Sequence, residues 1–168
     1  MKRIMKFSII PIVLIILILL FYQFPKKIDI IRPAVSFNDN NPESLKNTSI
    51  HIAGTFNRPL FRQHVFKGSI IINGIEITEK YDTIDTEVLK RMNGINMGNL
   101  IYNNTQNATV LGIIWFDNNF RDIGILGVNT EANQKEAIYI VTGESYEEGL
   151  NNLKKMRDKY GSGFINFE

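Results

Sequence analysis

The chain has 168 residues, with 19 Lys and Arg against 17 Asp and Glu, two histidines and no cysteine. The missing cysteine excludes disulfides, thiol catalysis, iron–sulfur clusters and cysteine-based zinc sites. Lys2, Arg3 and Lys6 precede every acid, so the rest carries 16 basic against 17 acidic side chains and lacks the basic face of a nucleic-acid binder.

The first element is the stretch Phe7–Phe24, FSIIPIVLIILILLFYQF, which holds no charge. Its 18 residues span about 27 Å as a helix, close to the hydrocarbon core of a bilayer. Pro11 falls near the start, where a missing N–H does least harm, and Pro25-Lys26-Lys27 stops the run behind an aromatic edge of Phe21, Tyr22 and Phe24. The competing reading is a cleaved secretory peptide, whose shorter apolar core leads to a small-residue cleavage site. Tyr22-Gln23-Phe24-Pro25-Lys26 offers no such site. The expectation is an uncleaved signal anchor, a single-pass transmembrane helix in the cell membrane. Residues 1–6 form its basic cytoplasmic flank, and the positive-inside rule puts the N-terminus in the cytoplasm and the C-terminal domain outside.

Residues 25–46 contain Pro25, Pro33, Pro42 and the polar run Asn38–Ser44, and are expected to form an extended stalk. Residues 47–168 then make one exported domain of ordinary size. Thr48–Phe56 has strand character. Asn73-Gly74 between Ile72 and Ile75 predicts a type I′ hairpin turn, pairing Ile70 with Ile77 and gathering Phe66, Ile70, Ile72, Ile75 and Ile77 on one face. Residues 82–91 read either as a short helix or as strand and loop, and Asn93–Gly98 as a loop. A strand begins at Asn99. Ala108–Phe116 (ATVLGIIWF) is apolar on both faces, the pattern of a central strand. Phe120–Val128 returns beside it, Asn129–Lys135 is a polar loop, and Ala137–Thr142 is a further strand. Ser145 and Glu148 have capping-box spacing, and Leu150, Leu153 and Met156 follow at helical intervals up to Gly161. Phe164–Phe167 reads as a short terminal strand. The predicted fold is mainly β (α+β): an antiparallel sheet or sandwich with one C-terminal amphipathic helix on one face.

No motif in this chain carries an established chemistry. His51 and His64 have no metal-ligand spacing, and Asp117, Asn118, Asn119 and Asp122 lack the calcium-loop pattern. No cofactor, metal or catalytic residue is therefore expected. The Asn-x-Ser/Thr triplets at Asn47, Asn103 and Asn107 carry little meaning in a chain with 19 Asn and 27 Ile, whose AT-rich codons point to a low-GC bacterium. The one segment with a recognition-like pattern runs from Phe56 to Lys67. It interleaves Arg58, Arg62, His64 and Lys67 with Phe56, Phe61 and Phe66. Forked arginine donors suit an anionic polymer or lipid head group, whereas the plainer reading has core aromatics and solvated cations. The sequence thus points to a membrane-anchored, non-enzymatic binding domain. Its partners would be the membrane through Phe7–Phe24, and a cell-surface polymer or another membrane protein. Two alternatives stay open: an accessory or sensory subunit acting through its helix, and a protein secreted after cleavage. A third, a hydrolase, would need a cleft that joins acids such as Asp82, Asp85, Asp117 and Asp122.

Overall fold

The computed structural model describes residues 2–38, 41–104, 107–128, 137–161 and 163–164. Strand β8 (Ala108–Asp117) lies inside the sheet, between β7 (Ile95–Asn103) and β9 (Ile123–Val128), as its two-sided apolar pattern requires. Beyond β9 come β10 (Ala137–Thr142), β1 (Lys26–Asn38), β2 (Asn41–Asn57) and β3 (Val65–Ile72), every pair antiparallel. The result is a mainly antiparallel β domain whose single sheet curls until it is nearly closed.

Closure comes from the segment between β3 and β7. The short helix α2 (Glu76–Lys80) leads into three short strands, β4 (Asp82–Thr83), β5 (Thr86–Glu87) and β6 (Lys90–Met92). β4 and β6 pair with β7, whereas β5 pairs with β3. The Thr83 hydroxyl accepts from Ile70 N at 2.9 Å, and Val88 N donates to His64 O at 2.9 Å. Across the same seam the buried Tyr102 hydroxyl donates to Ile70 O at 2.6 Å, and burial pushes its pKa well above the ordinary phenol value. Both sheet edges thereby find partners, which removes the hazard of open strands.

Alternation along the strands sorts side chains into two cores. Ile50, Ile52, Phe66, Ile70, Leu100, Ile114, Phe116 and Ile140 fill the barrel interior. Val35, Phe37, Trp115, Tyr139 and Val141 point outward, where helix α3 (Tyr146–Tyr160) covers them with Leu153, Met156 and Tyr160. Ser145 caps α3 as expected, its hydroxyl accepting from Glu148 N at 3.2 Å, while Glu148 Oε2 accepts from Glu144 N at 2.9 Å. One end of the interior is plugged by rings: Phe116 stacks on Phe120 at 4.4 Å between centroids, and Phe56 meets both edge-on. On the sheet itself, Gly112 of β8 faces Gly127 of β9 beside a bulge that shifts the β7–β8 register between Leu100 and Ile101. A Cβ on Gly112 would lie 1.9 Å from Leu126 O, so the backbones touch there.

Four expectations need correction, the smallest being the loop at Asn93–Gly98, of which Ile95–Gly98 already belong to β7. Residues 26–38 are not a stalk: β1 pairs with β2 on one side and β10 on the other, and Val35 and Phe37 are buried. Its Pro33 is tolerated because β1 has β2 alone as a partner up to that point, β10 joining at Ala34. The domain therefore starts at Lys26. Asn73-Gly74 turns the chain, with Ile75 N donating to Ile72 O at 3.0 Å, but only Gly74 takes a positive φ (80°). A type I′ hairpin needs both. The chain enters α2 instead, held by the buried Thr78 hydroxyl, which accepts from Ile72 N at 2.9 Å. The type I′ conformation belongs to Asn93-Gly94, with φ 46° and 82°, joining Met92 to its partner Ile95. The sandwich expectation gives way to the nearly closed barrel.

Helix α1 runs from Lys2 to Phe21, and a positive φ at Phe24 turns the chain into β1. Among the described residues, no helix is long and apolar enough to cross a membrane, so the transmembrane expectation is not carried by the fold. What α1 does present is a row of exposed apolar side chains from Ile10 to Phe21. The expected polar loop at Asn129–Lys135 lies outside the described residues. Of the expected terminal strand only Phe164 is described, and it sits in a turn after α3, its ring 5.0 Å from that of Trp115.

Candidate functional site

The segment that carries Arg58, Arg62, His64 and Lys67 lies at the barrel end next to α1. Residues 58–64 are the loop from β2 to β3, and two hydrogen bonds tie it to the helix. Arg58 N donates to Gln23 O at 2.6 Å, and Arg62 Nη2 donates to Phe21 O at 3.1 Å. The second places a cation on a carbonyl at the C-terminus of α1, where the helix dipole favours one. Beside this joint is a shallow groove of about 190 Å³, lined by Gln23, Asn57, Pro59, Arg62, Gln63, Val65 and Lys67.

The path of the loop divides the four expected residues, of which only Lys67 stands on a strand. Arg62 and Lys67 line the groove, and Lys67 pairs there with Asp85 at 2.9 Å. His64 points the other way, its ring edge-on to Phe56 at 5.8 Å, with Arg58 and Arg91 acting on it. Burial first, then the charges of Arg91 and Arg58, hold the His64 pKa below its ordinary value. Its Nδ1 is buried with no hydrogen-bond partner among the described residues. The unfolded chain regains the ordinary value of about 6.5, so below that pH it binds a proton more readily than the folded chain. The stability His64 contributes is complete above this pH and is lost as pH falls towards the lower folded value. The melting midpoint of the full chain should therefore drop more steeply from about pH 7.5 to about pH 5.5 than that of His64→Gln. Equal slopes would show that His64 is protonated as easily folded as unfolded.

The same barrel end gathers further cations. Lys26 Nζ donates to Asn118 O at 3.3 Å and to the Asn119 side chain, fastening the start of β1 to the β8–β9 turn. That turn is built by Asp117, whose Oδ1 accepts from Arg121 N at 2.7 Å, and Asp122 pairs with Lys155 at 2.8 Å. Lys27, Arg58, Arg62 and Arg91 make no ion pair among the described residues.

Of the acids that a hydrolase reading would join, Asp117 and Asp122 share the β8–β9 turn, Asp117 N donating to Asp122 O at 3.1 Å, with Asp122 engaged by Lys155. Asp82 and Asp117 lie apart. Asp82 pairs with Asn103 at one end of β7, and Asp117 with Ile95 at the other. Nine residues of strand separate them, roughly 27 Å at the usual rise. Among the described residues no group of three or more His, Asp or Glu could hold a metal ion. His51 lies elsewhere, 3.3 Å from Asp29 on the exposed sheet surface.

Two features of the site escaped the sequence reading. Gln23, assigned to the membrane span, is the residue to which the loop is fastened. Phe61, read with the core aromatics, is 69% exposed beside Leu60 at 57%. Its neighbours Phe56 and Phe66 are buried because they occupy inward strand positions, whereas Phe61 is in the loop. Compared with known proteins, the chain matches no family model, no curated protein and no solved structure.

Proposed function

We propose that this is a single-pass membrane protein, anchored by the segment Phe7–Phe24 with its N-terminus in the cytoplasm, whose barrel binds a partner outside the cell membrane without catalysing a reaction. The observation that carries this reading is α1 itself. From Ile10 to Phe21 its large apolar side chains are 36–71% exposed, and those on every side of the helix remain uncovered by the barrel. A helix apolar all round needs apolar surroundings, and a bilayer supplies them. Binding in place of catalysis is supported by the filled interior, which leaves the outer surface and the cationic end to meet a partner. A cell-surface polymer or another membrane protein fits that role.

Protease shaving of intact and lysed cells, with detection at the C-terminus, tests the anchor and the topology together. The expected result is full-length protein in the membrane fraction, with the barrel cut from outside intact cells. A shortened and freely released product would mean that Phe7–Phe24 is a cleaved signal. Protection in intact cells and loss only after lysis would reverse the topology and remove the surface-binding role.

A further inference from the structure

The exposed apolar residues of the 58–63 loop sit where the end of α1 meets the barrel. Phe61 is the most exposed large apolar side chain outside α1 among the described residues, and Leu60 adjoins it. The bonds from Arg58 N to Gln23 O and from Arg62 to Phe21 O hold this loop level with the last residues of the helix. Phe21 and Tyr22 are 71% and 52% exposed at the same level. The chain from helix to β1 is only Tyr22–Pro25, too short to lift the barrel away. Arg58 and Arg62 belong to the loop, Arg91 acts on His64 at its end, and Lys27 lies on β1 opposite Thr55 of β2. None of the four makes an ion pair among the described residues. Apolar side chains at the tip with cations behind them form the pattern of a surface that enters the interfacial zone of an anionic bilayer.

We propose that loop 58–63 is a second membrane contact, with Leu60 and Phe61 entering the outer leaflet and Arg58 and Arg62 meeting anionic lipid head groups. The contact rests on the anchor reading above. It joins Phe61 to Phe21 and Tyr22 as one aromatic belt at the interface. It also fixes the tilt of the barrel: the α1 end lies on the lipid, and the opposite end, with Asn73-Gly74 and α2, points away.

The chain has no cysteine, so single cysteines can carry an environment-sensitive fluorophore without competition. Phe61→Cys reports on the loop, Leu17→Cys on the helix and Asn73→Cys on the far end of the barrel. Leu60→Cys is a second loop reporter should Phe61→Cys fold poorly. The full chain is reconstituted in phosphatidylcholine vesicles with and without phosphatidylglycerol, and quenching by lipids brominated along the acyl chain is measured. The expected result is strong quenching at Leu17, clear quenching with a blue-shifted emission at Phe61, and neither at Asn73. Quenching at Phe61 should increase with phosphatidylglycerol and weaken with salt. A water-exposed Phe61 label beside a quenched Leu17 label would overturn the loop contact and leave the anchor standing. A quenched Phe61 beside an unquenched Leu17 would sustain the contact and overturn the anchor. Equal signals in both lipid compositions would overturn the assignment of Arg58 and Arg62 to anionic head groups.

Discussion

Phe116→Ala should cost the barrel about 3–5 kcal/mol of stability, the usual range for emptying a large aromatic from a core. Phe116 is fully buried, stacked at 4.4 Å on Phe120 and edge-on to Phe56 at 5.6 Å. It stands on β8, which has strands on both sides, so the backbone has little freedom to collapse into the space. Typical domains hold about 5–15 kcal/mol in total, so this one truncation removes a large share. Denaturant unfolding of the full chain in detergent micelles reads the change as a fall in midpoint at constant slope. Val110→Ala, at an exposed position of the same strand, provides the comparison and should stay within about 0.5 kcal/mol. A loss below about 1 kcal/mol for Phe116→Ala would mean that the ring plug is not packed as described.

The second large effect comes from adding atoms. Gly112 and Gly127 face each other across β8 and β9, yet their substitution by alanine should have unequal consequences. A Cβ on Gly112 meets Leu126 O at 1.9 Å and Gly127 Cα at 2.8 Å, both backbone atoms fixed by neighbouring strands. A Cβ on Gly127 meets Ile138 Cγ2 and Leu111 O at 3.3 Å, where a few tenths of an ångström of movement suffice. Gly112→Ala should therefore cost at least the 1–3 kcal/mol typical of overpacking, roughly, while Gly127→Ala costs clearly less. Thermal melts of the two variants beside the unchanged chain give the comparison. Equal losses would contradict the close approach of β8 to β9 at Gly112.

The two Asn-Gly pairs show what the sequence could and could not disclose. The dipeptide is the same, and the residues before it are apolar in both cases, Ile72 and Met92. At Asn93 the following strand finds β8 as a partner and the primed turn forms. At Asn73, β3 already pairs with β2, and the next segment satisfies its backbone as helix α2. Turn chemistry is local, but the choice between hairpin and helix depended on strands far away in sequence. Where the signal was itself local or two-sided, it was legible: Ser145 and Glu148 cap α3, and the unbroken apolar run of β8 sits inside the sheet. β1 was missed because three prolines and a polar run resemble a linker, while its burial comes from β10, near the other end of the chain. The candidate site was legible as a composition of Arg and aromatic residues between Phe56 and Lys67. Its division into a groove side and a Phe56 side, and its attachment to Phe21 and Gln23, depend on the path of the loop and on where α1 ends.

The position of β1 also fixes the order in which the chain can complete itself. β1 follows α1 directly, and β2 and then β3 can add to it on one side through nearby contacts. Its other flank waits for β10, which is followed in the described chain only by α3 and the turn holding Phe164. Until then Val35 and Phe37 lack both Tyr139 and Val141 of β10 and the cover of α3. Pairings between distant segments are the slow ones in folding, so the barrel cannot close until β10 has been made and has reached β1. A chain cut short before Ala137 would keep residues 34–38 of β1 as an open, partly apolar edge, ready to pair with a neighbouring copy.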